Sequence, residues 1–271
     1  MKFSIITINY NNHKGLRRTI NSVINQTFRD FEFIIIDGGS DDGSVDVIKD
    51  YCDHITYWVS EHDKGIYNAM NKGIIQAHGS YIDFMNSGYE FYSKDTLEKV
   101  SILMNGSDFI IGKDYNQDPT SGKVFTTILP TRTSMVSFFM WTLPHQSSFI
   151  RRSLFEASRY DETLRIVADW KFYLEKIVYE GKRVQLLNLL VSKREQEGVS
   201  NSQASITIEE RHKVLSTLLP PGIYQDYETL SKLDRSTLYK LLNLIDQDKT
   251  RKWITYFIKV LNRLFPTKSF I

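Results

Sequence analysis

The stretch FIIIDGGSDDGS, Phe33 to Ser44, sets four consecutive large apolar residues directly before a run of Asp, Gly and Ser. A short apolar run rich in β-branched side chains and closed by turn formers reads as a buried strand followed by a tight polar loop. Ser44 then reads as the N-cap of a helix running through Tyr51. Upstream, Phe3 to Ile8 (FSIITI) has the same character and is closed by the polar cluster Asn9 to His13. Leu16, Ile20, Val23 and Ile24 recur at helical spacing, which predicts an amphipathic helix over Lys14 to Gln26. Downstream, Ile55 to Val59 predicts a strand, Gly65 to Ala77 a helix and Tyr81 to Met85 a further strand. Strands and helices alternating with short polar loops predict right-handed βαβ units on a mostly parallel sheet. Ligands of such sheets sit at the C-terminal strand ends, where Asn9 to Asn12, Asp37 to Asp42 and Asn86 to Glu90 all fall.

Beyond about residue 110 the alternation loosens. Gln117 to Gly122 reads as a loop, and Ser134 to Trp141 is apolar without a clear period. Asp169 to Glu180 predicts a helix that buries Phe172, Tyr173, Ile177 and Val178. Val184 to Val191 predicts a strand, Ser192 to Ser205 a mobile polar loop, and Ile206 onward a wholly helical region. The expected division is an α/β domain over residues 1–205 and a helical C-terminal extension over 206–271.

The 271 residues are enough for one large domain with a core, or one domain with an appendage. Lys and Arg (34) nearly balance Asp and Glu (32), which argues against a nucleic-acid binder. The lone Cys52 excludes internal disulfides and thiolate zinc clusters and suits a reducing cytoplasm. A strand-like run begins within three residues of Met1, so no signal peptide is expected, and no apolar stretch approaches the roughly 20 residues of a spanning helix. No Gly-x-Gly-x-x-Gly follows the first strand, which argues against a Rossmann oxidoreductase.

Six segments, in order, resemble the family 2 glycosyltransferases. They are SIITINYNN (Ser4 to Asn12), IIIDGGSDDGS (Ile34 to Ser44), SEHDKGIYNAMNKGI (Ser60 to Ile74), GSYIDFMNSGYEF (Gly79 to Phe91), LPHQSSFIRR (Leu143 to Arg152) and VADWKFYL (Val167 to Leu174). Within that family the chain looks closest to enzymes of colanic-acid and similar exopolysaccharide pathways. The resemblance implies a GT-A fold and an inverting transfer of sugar from a UDP or GDP donor. The acceptor it implies is a glycan or lipid-linked oligosaccharide, and the cofactor a divalent cation, Mn2+ or Mg2+.

The site residues follow from both readings. Asp37 ends a strand and either orders an Asx-turn or accepts a hydrogen bond from the donor's base or ribose, as the resemblance implies. Thr7, Asn9, Asn86 and Ser87 lie on the same edge and are expected at the donor. Asp63 suits a helix N-cap, Lys64 adds a cation there, and helix N-termini attract anions. Asn68 and Asn71, three apart and on one helix face, bond either loop carbonyls or the donor; the resemblance favours the donor. Relatives carry Asn-Ser-Asp-Asp or Asn-Ser-Gly-Asp where this chain has Asn86-Ser87-Gly88-Tyr89, and their final Asp binds the metal. Tyr89 is a poor ligand for a hard cation, so either Glu90 is the candidate metal ligand or the ion is held by the diphosphate and groups beside Asp37 with water. A lone His such as His145 is more often a satisfied structural residue, while the resemblance implies that His145 and Gln146 stand at the acceptor rim; Trp170 either stacks on a sugar ring or belongs to the core. Asp169, at a helix start and preceded by Ala168, is implied as the base that deprotonates the acceptor hydroxyl, although an N-cap role alone would also suit it. Tyr89 also keeps open a second class of function, a catalytically silent binder of nucleotide sugars or glycans. Near the C-terminus, Arg251, Lys252, Lys259, Arg263 and Lys268 flank the helically spaced Trp253, Tyr256, Phe257, Val260, Leu261, Leu264 and Phe265. That pattern suits packing on the domain or attachment to an anionic membrane surface.

Overall fold

The computed structural model describes residues 1–117, 121–195, 204–231, 244, 251–257 and 260. Its first half follows the predicted alternation: β1 (Phe3–Asn9), α1 (His13–Ile24), β2 (Phe31–Asp37), α2 (Ser44–Asp50), β3 (Tyr57–Ser60), α3 (Ile66–Gln76) and β4 (Tyr81–Phe84). Next come β5 (Tyr89–Phe91), α4 (Thr96–Leu103), β6 (Phe109–Gln117), β7 (Val124–Thr126) and α5 (Met135–Met140). After β8 (Ser148–Arg151), α6 (Leu154–Ala157) and α7 (Ala168–Tyr173), a π-helical turn over Leu174–Tyr179 leads to β9 (Val184–Glu195). Two helices follow, α8 (Ala204–Leu218) and α9 (Pro221–Ser231).

One sheet unites the strands in the order β3-β2-β1-β4-β8-β6-β9-β5, with β7 on β6. The expected parallel arrangement holds across β3, β2, β1 and β4. Beyond β4 the sheet is mixed: β8 is antiparallel to β4 and β6, β9 is parallel to β6, and β5 is antiparallel to β9. The β1–β2 register runs from Phe3 opposite Phe31 to Asn9 opposite Asp37, so the two polar strand ends meet. Phe3, Ile5, Leu16, Ile20, Val23, Phe33 and Ile35 form a fully buried core between sheet and helices. Burying each of the larger side chains contributes about 1.5–3 kcal/mol. Helix α3 lies so close to β1 that a Cβ on Gly73 would stand 2.6 Å from Ile6 Cγ2, so only glycine fits there.

Three local expectations are corrected. Gly43, at φ +93°, precedes α2, and Ser44 is its first helical residue, its hydroxyl donating to Asp42 Oδ1 at 2.6 Å. Asp169 is the second residue of α7 and Val167 holds the cap position, so the carboxylate is not an N-cap. Ser192 to Glu195 continue β9 because they pair with Asp114 to Gln117 of β6, while β5 pairs on the other side.

The chain forms two compact units, Met1–Leu215 and Ser216–Ile271. The first unit thus extends beyond the expected limit at residue 205 and takes in most of α8. Buried Glu210 explains why: its carboxylate accepts the backbone N–H groups of Arg165 at 2.6 Å, Ile166 at 2.9 Å and Val167 at 3.3 Å. These are the N–H groups just ahead of α7, where an anion is favoured.

Asp83 is the outlier of the core. It is wholly buried on β4, and neither carboxylate oxygen has a hydrogen-bond partner. Burial first, and then the charge of Asp114, hold its pKa well above the usual carboxylate range. The folded chain therefore keeps a proton that the unfolded chain releases above about pH 4, and Asp83 lowers stability as pH rises through that window. Asp83→Asn is expected to melt higher than the native chain at pH 7.5, with the gap closing at pH 4. Each kcal/mol is worth about 2–4 °C in a domain of this size. A variant that melts lower than native at pH 7.5 would contradict the assignment.

Candidate active site

The C-terminal strand ends enclose a cavity of about 1060 Å³. Its walls are the end of β1 and the following turn (Ile8 to Asn12), the 86–89 segment, the start of α3, and the side chains of Gln146, Arg18 and Arg194. Asn12 ties two of these walls together: it caps α1 by accepting from Gly15 N at 3.1 Å, and its amide donates to the Ser87 carbonyl at 3.3 Å. Gly88 sits at φ +95°, a conformation open to glycine at little cost, and this turns the chain from β4 into β5.

Asp37 organises the floor without touching the cavity. It is fully buried, and its oxygens accept from Asn9 Nδ2 (2.7 Å), Ser40 Oγ (2.6 Å), Ser40 N (2.9 Å) and Ser60 Oγ (2.6 Å). Burial alone would raise its pKa, but these hydrogen bonds outweigh it and hold the carboxyl below the usual range. The expected direct donor contact is thus corrected: Asn9 and Gly38 line the cavity, and Asp37 fixes them from behind.

Other expectations divide in the same way. Asn86, Ser87, Asp63 and Gln146 line the cavity. Asp63 is not an N-cap, a place held by Gly65; it pairs with Lys72 Nζ at 2.6 Å. Thr7 is buried and its hydroxyl donates to the Met85 carbonyl at 2.8 Å, so it joins β1 to the 85–88 segment and offers a ligand nothing. Lys64 is exposed outside the cavity wall. Asn68 and Asn71 turn toward the 160–162 segment: both amides donate to Glu162 at 2.8 Å, and Asn71 also bonds the backbone of Tyr160 in both directions. They hold that segment on α3.

His145 is not at a rim. It is buried, stacked on Phe84 with ring centroids 5.0 Å apart, and its Nε2 lies 2.9 Å from the Tyr160 hydroxyl. Burial lowers its pKa and keeps it neutral, although the charges of Asp169 and Asp114 pull the other way. Trp170 is core: its Nε1 donates to the Phe138 carbonyl at 2.8 Å and the Arg211 guanidinium lies 4.8 Å over its ring.

Asp169 is half-buried and does not line the cavity itself. Its partner is Tyr67 on α3, which is buried and does not line the cavity, although Ile66 and Ala69 of the same helix do. The Tyr67 hydroxyl stands 2.8 Å from Asp169 Oδ1 and 2.5 Å from the Ile166 carbonyl. Burial, and then the Asp169 charge, push the phenol's pKa far up, so it stays protonated and can donate to the carboxylate. Tyr67 carried no polar signal in the sequence, since a Tyr at helical spacing reads as core.

A profile of the glycosyl transferase family 2 domain matches residues 4–159. The chain belongs to glycosyl transferase family 2. An uncharacterized glycosyltransferase of Mycobacterium tuberculosis (strain H37Rv) is 33% identical over 184 residues, 63% of this chain and 67% of that protein. A PGL/p-HBAD biosynthesis glycosyltransferase of Mycobacterium bovis (strain BCG / Pasteur 1173P2) is 29% identical over 210 residues, 74% of this chain and 79% of that protein. Staphylococcus aureus TarS residues 1–349, solved with UDP-GlcNAc, matches with a TM-score of 0.63 and 20% identity over 75% of this chain. This glycosyltransferase spans 61% of that TarS chain. The mannosyltransferase PcManGT of Pyrobaculum calidifontis, solved with GDP-Man and Mn2+, matches with a TM-score of 0.60 and 12% identity over 98% of this chain and 88% of its own. At such identities both structures speak for the shared GT-A-like fold alone.

A divalent ion, expected from the resemblance, needs oxygen ligands that converge. At the 86–90 segment neither Tyr89 nor Glu90 is placed to serve as one. Tyr89 is half-buried, and desolvation raises its phenol's pKa against the opposing pull of Arg194; its oxygen accepts from Arg194 Nη1 at 2.9 Å. Glu90, the candidate ligand, points to the other face of β5 and pairs with Lys193 at 3.5 Å. Among the described residues no group of three His, Cys, Asp or Glu side chains is placed to hold a metal.

Proposed function

We propose that this glycosyltransferase moves a sugar from a UDP or GDP donor to a hydroxyl of a glycan or lipid-linked oligosaccharide, with inversion at the anomeric carbon, in cell-surface polysaccharide synthesis. Asp169 is the general base. The observation that carries this reading is the half-buried Asp169 carboxylate, held by the Tyr67 phenol whose neighbours wall the cavity. Inversion needs a base on the face opposite the leaving diphosphate, and a positioned carboxylate serves because the acceptor proton leaves as the new bond forms. In this reading Asn9, Asn86 and Ser87 face the nucleotide and Gln146 the acceptor side of the cavity. His145 and Trp170 support those walls from the core.

A lipid-linked acceptor suits a protein resting on the inner, cytoplasmic membrane face. No helix among the described residues is long and apolar enough to cross a membrane. Within the helical residues 251–257, Trp253, Tyr256 and Phe257 are 73%, 63% and 62% exposed, beside Arg251 and Lys252. Lys259, Arg263 and Lys268, the remaining cations of that pattern, lie outside the described residues. An interfacial helix carries such a mixture of aromatic and basic groups.

Tyr89 favours one second reading, a silent binder of nucleotide sugars. Incubating the chain with a panel of UDP- and GDP-sugars and lipid-linked acceptors, and following the anomeric signal by proton NMR, separates the two. Transfer with inverted configuration is expected. Donor binding without turnover would favour the silent binder, and a retained configuration would remove Asp169 as base.

A further inference from the structure

A leaving diphosphate needs its charge compensated, and neither Tyr89 nor Glu90 is placed to hold a cation for that purpose. We propose that Arg194 and Arg18 supply that compensation, their guanidinium groups binding the donor's diphosphate directly while Tyr89 holds Arg194 in position. This rests on the donor-binding reading above and adds the means of charge compensation.

Strand pairing makes the arrangement. Tyr89 of β5 stands directly opposite Arg194 of β9, so the two side chains share one sheet face, the one that lines the cavity. Glu90 and Lys193, the next pair, share the other face and meet each other. The Arg194 guanidinium lies 5.1 Å over the Tyr89 ring and donates to its hydroxyl at 2.9 Å. A ring face and a hydroxyl together fix a long, mobile side chain before any ligand arrives. An acid at position 89 would bind a metal; the phenol binds a cation that belongs to the chain.

Arg18, on the second turn of α1, lines the same cavity and makes no hydrogen bond or ion pair with any described residue. Among the described residues the one carboxylate on the wall, Asp63, is met by Lys72 at 2.6 Å. The wall thus carries two guanidinium groups, and its one carboxylate is already paired with Lys72, a lining suited to a diphosphate. Guanidinium also matches the geometry of phosphate oxygens with paired donors, which a lysine does not.

The test is calorimetric, with UDP and GDP as probes and uridine and guanosine as controls without phosphate. Native protein is expected to bind its preferred nucleotide with affinities within about twofold in EDTA and in Mn2+. Arg194→Ala is expected to lose about 10- to 100-fold for that nucleotide, as for a bond between charged groups, while the nucleoside binds as before. Tyr89→Asp, which restores an acid, is expected to make nucleotide binding respond to Mn2+. Native affinity that collapses in EDTA and returns with Mn2+ would overturn the proposal and leave the glycosyltransferase reading intact. So would native-like nucleotide affinity in Arg194→Ala. If neither nucleotide binds under any condition, the donor reading itself fails. Should Arg194→Ala melt far below native, Arg194→Lys and the EDTA comparison decide: the lysine keeps the charge, and a loss of nucleotide but not nucleoside binding still identifies the phosphate contact.

Discussion

Asp169→Asn is expected to fold and to bind nucleotide like the native chain, while sugar transfer falls by about 10²–10⁴-fold, the usual worth of a positioned base. The amide is nearly isosteric, and its carbonyl oxygen can still accept from the Tyr67 hydroxyl, now 2.8 Å from Asp169 Oδ1. What the amide cannot do is take the acceptor's proton. Position 169 is not a helix cap, so the substitution removes no capping bond, and a fall in rate reports chemistry. The measurements are transfer kinetics, thermal melting and nucleotide affinity on one preparation. Transfer near the native rate would leave Asp169 as a structural partner of Tyr67. Glu162 would then be the acid to examine, although its carboxylate is occupied by Asn71 and Asn68.

Asp37→Ala is expected to lose both stability and nucleotide affinity, with stability the larger effect. Four hydrogen bonds end on this buried carboxylate, and its removal takes the partner of the Ser60 hydroxyl and leaves the Asn9 amide only its longer bond to Ser40 Oγ at 3.3 Å. Breaking a buried charged network in this way costs about 3–5 kcal/mol, or about 6–20 °C in a domain of this size. The sign of the pH dependence is a second check. The folded pKa is lowered, so the native contribution is present above the unfolded value near ~3.9 and is lost as pH falls through the folded one. The melting gap between native and variant should therefore narrow in acid. A variant that melts like the native chain but no longer binds UDP or GDP would mean that Asp37 meets the ligand directly.

The sequence by itself determined the first half of the molecule and the edge where ligands gather. FIIIDGGSDDGS and FSIITINYNN combine apolar runs of strand length with turn residues at their ends, and both signals are local. Neighbouring parallel strands then bring Asn9 beside Asp37 with little further information. Local signals do not settle where β8, β6 and β9 pair, since strands separated by dozens of residues are matched by tertiary packing. The same limit explains the site residues that moved. Thr7, His145 and Trp170 were polar or aromatic groups at suggestive positions, but only packing decides whether such a group faces a cavity or a buried carbonyl.

Asn68 and Asn71 were legible as a pair on one helix face, yet their partner Glu162 lies about 90 residues away in the chain. Tyr89 could be read as a departure from the usual acid. Its consequence could not, because the arginine that answers it sits on another strand and meets it only through the β5–β9 register. Periodicity and turn chemistry act within a few residues, and so they determined the elements and the ligand edge. The direction each side chain faces, and the charge it meets there, were decided by contacts between distant segments, which form only when the sheet closes.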